Sequence, residues 1–211
     1  MERVRWKRPH NAFRPIALTF IFFIDNYTTK ILNFNMRPEK KTYPDYYENY
    51  ISLIKQNTIK EALIENEKET LIFFNSIPEH LENFSYEKGK WTVKEVLNHI
   101  IDTERIFAYR ALRFARKDET QPLSFDQDNY VTNAELSERN LKDLINEFET
   151  VRISTLSLFN SFGNEALVRM GQTAAGRASV NAIGFTICGH GLHHINVIKE
   201  RYLKNNFAVK I

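Results

Sequence analysis

Four stretches of this chain repeat apolar side chains at helical spacing, and no stretch alternates apolar with polar residues as a half-buried strand does. The first stripe runs Ile59, Leu63, Asn66, Thr70, Phe73, Phe74 and Ile77, and Pro78 closes it. The second runs Val93, Val96, Leu97, Ile100, Glu104, Phe107, Ala111 and Phe114. Its start carries a strong signal: Thr92 and Glu95 form a capping box, with Trp91 positioned to staple onto Val96. The third includes Leu141, Leu144, Ile145, Phe148, Arg152, Thr155, Leu156, Phe159 and Phe162, with Gly163 expected at the C′ position. Ser179 caps the fourth, which carries Ile183, Ile187, His190, His194, Val197, Ile198 and Arg201. A short lead-in helix is expected over Tyr46–Lys55, and the segments 118–137 and 164–178 read as long loops. The expected fold is all-α, a four-helix bundle with long inter-helix loops.

At 211 residues the chain is long enough for one well-buried core. Cys188 is the only cysteine, so no intrachain disulfide can form and nothing points to an oxidising compartment. The net charge of +3 comes from the first 35 residues, which carry Arg3, Arg5, Lys7, Arg8, Arg14 and Lys30 against Glu2 and Asp25. The remainder is near neutral and lacks the clustered basic face that nucleic acid requires. The apolar run Ile16–Ile24 (IALTFIFFI) is too short to span a bilayer and no small-x-small cleavage site follows it. Residues 1–35 are expected to be a non-native or disordered extension, with Met36 as the natural start; a signal or membrane-surface role is the alternative. Residues 36–211 are expected to form one cytoplasmic domain with no membrane partner.

The chemistry concentrates on histidine. At about 100° per residue, His190 and His194 fall near the centre of the fourth stripe, one turn apart on one face. His99 sits on the shoulder of the second stripe, in line with Thr103, Ile106 and Arg110. Three neutral imidazoles converging from two helices would hold a divalent ion and leave one coordination position open. His193 lies to one side of the pair, at a rim position suited to proton transfer. Two stripes also carry a charge at their centre, Glu104 and Arg152. An unpaired buried charge is very costly, so these two are expected to face each other, either fixing helix register or orienting an anionic substrate. Asp126, Asp128 and Tyr130 could close over the site. There is no Gly-rich phosphate loop and no GxSxG elbow, and Cys188 points away from His190 on its helix.

The segments KWTVKEVLNHIIDTERIFAYR (Lys90 to Arg110) and GHGLHHINVIKERYL (Gly189 to Leu203), with Arg152 between them, resemble the DinB/YfiT-like superfamily of metal-binding four-helix bundles. The likeness covers roughly residues 42–204, in the same order. It implies that His99, His190 and His194 bind one divalent metal, Zn²⁺ or Ni²⁺ in different members, and that the chain dimerises. Characterised relatives include S-transferases that use the low-molecular-weight thiols bacillithiol or mycothiol. The resemblance thus implies transfer of such a thiol to an electrophilic small molecule held under loops 118–135 and 164–178. Metal-dependent hydrolysis, with His193 as proton shuttle, and a non-catalytic metal- or ligand-binding stress protein are the alternatives.

Overall fold

The computed structural model describes residues 36–120 and 122–204; the expectations for residues 1–35 lie outside the described residues. Four long helices form the bundle: α2 (Ile59–Asn75), α3 (Val93–Ala115), α5 (Leu141–Asn160) and α7 (Val180–Val197). Helix α3 packs on α5 and α7, and α2 packs on the same two from the other side. A short α1 (Asp45–Ile51) lies against α7 and ends earlier than the expected lead-in helix.

Each bundle helix begins where a polar side chain satisfies its free N–H groups. Thr58 with Glu61, Thr92 with Glu95, and Asn140 with Asp143 form capping boxes, and Ser179 accepts from the Ala182 N–H. Such caps each stabilise by about 1 kcal/mol, but burial of the apolar stripes contributes more. Two apolar clusters result. One gathers Leu63, Ala111, Phe159 and Ile183 toward the α1 end. The other gathers Phe74, Leu97, Phe148 and Ile195 toward the opposite end. Between them the four helices contribute buried polar side chains at one level: Asn66 from α2, Glu104 from α3, Arg152 from α5 and His190 from α7.

Four local expectations need correction. The segments 118–137 and 164–178 are not plain loops. The first contains α4 (Gln127–Thr132), whose N–H groups Asp126 caps. The second holds a short α6 (Asn164–Leu167) and an antiparallel hairpin, β1 (Met170–Thr173) with β2 (Gly176–Ser179), registered Met170 to Ser179 and Thr173 to Gly176. These strands have no β-branched run to announce them, and Gly176 enters at φ +131° after a turn made of Ala174 and Ala175. Gly163 is not the C′ residue of α5; its φ of −73° is ordinary, and it is instead the N-cap of α6. Arg201 does not continue the buried stripe. The last helix passes into a π-helical segment, Ile198–Leu203, whose wider turn shifts the phase by one residue. Tyr202 takes the buried position and Arg201 turns to solvent.

Among the described residues no helix is long and apolar enough to cross a membrane.

Candidate metal centre

His99 comes from the second turn of α3, and His190 and His194 from successive turns of α7, the two helices whose stripes pack against each other. All three aim the same atom at one point. His190 Nε2 lies 3.1 Å from His99 Nε2 and 3.1 Å from His194 Nε2. One imidazole nitrogen carries either a single N–H or a single lone pair, so it cannot bond both neighbours in good geometry. A shared ion resolves this. Two nitrogens bound at about 2.0–2.1 Å to one ion lie about 2.9–3.4 Å apart for angles from roughly 90° to tetrahedral, and the observed separations fall in that range. The three ligand atoms all lie within 4.8 Å of one another. The donor set therefore fits a borderline divalent cation.

Electrostatics keeps the set ready. Burial pulls His99 down to about 4 and His194 down to about 3, with the neighbouring imidazoles adding to the effect at His194. Burial, then the His194 and His99 rings, holds His190 well below its usual value. All three are thus neutral at physiological pH, the form in which imidazole is a ligand.

The surrounding groups fix the rings. Trp91 packs on His99 with ring centroids 4.8 Å apart, and its own carbonyl accepts a 2.7 Å hydrogen bond from the Tyr202 hydroxyl. The π-helical phase shift thus anchors the Trp91 main chain beside His99. Tyr50, at the end of α1, meets the edges of both His190 and His193, each at 5.6 Å. That approach depends on Gly189, where a Cβ would stand 2.2 Å from the Tyr50 carbonyl oxygen. Gly189→Ala should therefore displace the last turn of α1, costing about 1–3 kcal/mol and weakening metal uptake in a titration. Gly191→Ala, whose new Cβ would have no neighbour closer than 3.7 Å, should gain up to about 1 kcal/mol from helix propensity. Equal effects in the two variants would contradict this reading of Gly189.

Glu104 and Arg152 do face each other. Arg152 Nε and Nη2 donate to the two carboxylate oxygens at 2.9 and 2.8 Å, and both side chains are buried. Nη1 donates to the Leu63 carbonyl and to Asn66 Oδ1. Asn66 Nδ2 in turn donates to the Cys188 carbonyl at 3.2 Å. The guanidinium is therefore occupied within the core, and the network ties α2, α3 and α5 to α7 two residues before His190. Asn66 was visible as a polar residue in the first stripe, but its partner was not. Cys188 is buried, and burial pushes its thiol up to about 12, so it is no nucleophile at neutral pH.

Two cavities border the triad. A cleft of about 750 Å³ is bordered by His193 and His194 with Trp91, Lys90, Asp128 and Arg201. A smaller cavity of about 190 Å³ is bordered by His99 and His190 with Tyr50, Thr103, Phe125 and Arg110. His193 is half-buried and outside the ligand cluster, as its rim position implied. Of the loop residues, Asp128 borders the larger cleft, Asp126 is spent capping α4, and Tyr130 packs on Phe125 at 5.3 Å.

A helical bundle with three inward histidines on two helices defines a class of protein, and the sequence assigns the chain within it. The DinB superfamily profile matches residues 62–198, and the chain belongs to that superfamily. Among solved structures the fold is similar to YfiT from Bacillus subtilis, described as a probable metal-dependent hydrolase with an unusual four-helix bundle topology. The TM-score is 0.63 at 13% sequence identity, over 84% of this chain and 100% of that one. At that identity the likeness is one of fold. No curated protein matches the chain.

Proposed function

We propose that His99, His190 and His194 hold one divalent ion, zinc or nickel, and that the protein transfers a low-molecular-weight thiol to an electrophilic small molecule. The observation that carries this reading is the pair of cavities meeting the triad with different linings, room for two reactants rather than one. The larger cleft, with Lys90, Arg201, Glu95 and Asp128 in its wall, suits a polar, charged thiol. The smaller, largely aromatic cavity suits the electrophile.

When bound, such an ion supplies Lewis acidity, lowering the pKa of a thiol or water at its open position. The chain's own residues do the rest. Trp91 and Tyr50 pack against His99 and His190 and hold those imidazoles in place. His193, on the wall of the larger cleft, accepts the proton given up by the nucleophile. Ser124 and Phe125 from one connecting segment and Ala174 and Ala175 from the hairpin turn cover the smaller cavity. Hydrolysis is the second reading, favoured by the likeness to YfiT, described as a probable metal-dependent hydrolase. Water would then replace the thiol, with the same proton acceptor.

Monochlorobimane with a panel of low-molecular-weight thiols separates the readings. Thiol transfer predicts loss of free thiol that requires the metal-loaded wild-type chain. Product formed at the same rate without thiol, on an activated ester or amide, would replace it by hydrolysis. Saturable ligand binding with no product in either assay would leave a binding protein.

A further inference from the structure

The smaller cavity contains an unneutralised cation. On α3, Thr103 and Arg110 follow His99 at one and about three turns along one line of the helix, and all three border this cavity. Arg110 is only 6% exposed, yet among the described residues it has no carboxylate within ion-pair distance. Its guanidinium lies 5.1 Å from the Phe107 ring centroid, and one Nη2 bond reaches the Leu123 carbonyl at 3.3 Å. Among the described residues Arg110 Nε has no partner, and neither does the buried hydroxyl of Thr103. Arg152, also buried, has an acceptor on each of its three guanidinium nitrogens. A fold that gives every nitrogen of one buried guanidinium a partner, while leaving Nε of another without one beside a cavity, is built to receive an acceptor there. No Asp or Glu borders that cavity among the described residues.

We infer that Arg110 and Thr103 form an anion subsite that binds the carboxylate of the small-molecule electrophile and directs its other end toward the histidine triad. This rests on the function proposed above. The size and charge narrow the class. About 190 Å³ is below the roughly 300 Å³ at which drug-sized pockets begin, which suits a short acid. One cation matches a monoanionic carboxylate, whereas a phosphate dianion would leave a charge uncompensated among aromatic rings. Burial draws the Arg110 pKa down, as befits a guanidinium lacking its counter-charge.

The test is calorimetric titration of the full chain with butyrate, butyramide and inorganic phosphate, before and after metal stripping. It is repeated on Arg110→Met and Thr103→Val, with metal content measured on every sample. Butyrate should bind at least tenfold more tightly than butyramide or phosphate. Arg110→Met should remove that preference without loss of metal or of melting temperature, because Met fills the site without an uncompensated charge. Thr103→Val should weaken butyrate several-fold and leave butyramide unchanged. Butyrate binding that disappears on metal stripping and ignores Arg110→Met would mean that the ion alone binds the acid, overturning the subsite while sparing the proposed function. Binding that needs Arg110 in a chain that takes up no metal would support the subsite and remove the function on which it was placed. Preference for phosphate, or equal affinity for the amide, would overturn the carboxylate assignment.

Discussion

Glu104→Ala should destabilise the protein by about 3–5 kcal/mol, the largest effect expected of any single substitution in the bundle. Arg152 is fully buried, and two of its four hydrogen bonds go to this carboxylate. Removing Glu104 leaves a guanidinium in the core with only the Leu63 carbonyl and the Asn66 amide oxygen as acceptors. In a domain of this size each kcal/mol moves the melting temperature by about 2–4 °C, so thermal unfolding should shift by roughly ten degrees. The double variant Glu104→Met with Arg152→Met should recover most of the loss, since it removes both charges and keeps side-chain volume. A shift below about 1 kcal/mol for Glu104→Ala would mean that water reaches the pair. The pair's role in this account is to fix register: Asn66 carries its geometry to the Cys188 carbonyl, just ahead of the histidine pair.

The second large effect is that of the ion on stability. An ion bound only by the native state adds RT ln(1 + [L]/Kd), about 4 kcal/mol at a thousandfold excess over Kd. At about 2–4 °C per kcal/mol, saturating zinc or nickel should raise the melting temperature of the chelator-treated protein by roughly 8–16 °C. His190→Ala removes the nitrogen common to both 3.1 Å contacts and should abolish the increase. Identical melting curves with saturating metal and with chelator would contradict the site. An increase that survives in His190→Ala would relocate it.

The bundle was legible in the sequence because its helices obey strong local rules. The stripe from Ile59 to Phe74 and the Thr92 and Glu95 capping box each specify one structure without knowledge of the rest of the chain. The histidine pair was legible for the same reason, since i, i+4 spacing on a helix is itself geometry. Glu104 and Arg152 could be matched because two buried charges of opposite sign had few other ways to be satisfied. What the sequence hid depends on tertiary context. The strands Met170–Thr173 and Gly176–Ser179 lack β-branched residues in a run and are held by their pairing and packing. The phase shift that exchanges Arg201 for Tyr202 comes from a π-helical segment with no local signature. Gly163 looked like a helix stop but sits at an ordinary φ, so its identity was a poor guide. Arg110 stood visibly in line with His99, yet that it was buried without a counter-charge emerged only from the packing around it.

The central claim is that three histidines from two helices share one ion. Metal per chain, measured by ICP-MS on the untagged 211-residue chain beside His99→Ala and His194→Ala, tests it most directly. The account predicts about one divalent ion per wild-type chain and a strong reduction in both variants, with helical content retained. No metal in the wild type after reconstitution, or the same content in all three proteins, would contradict it.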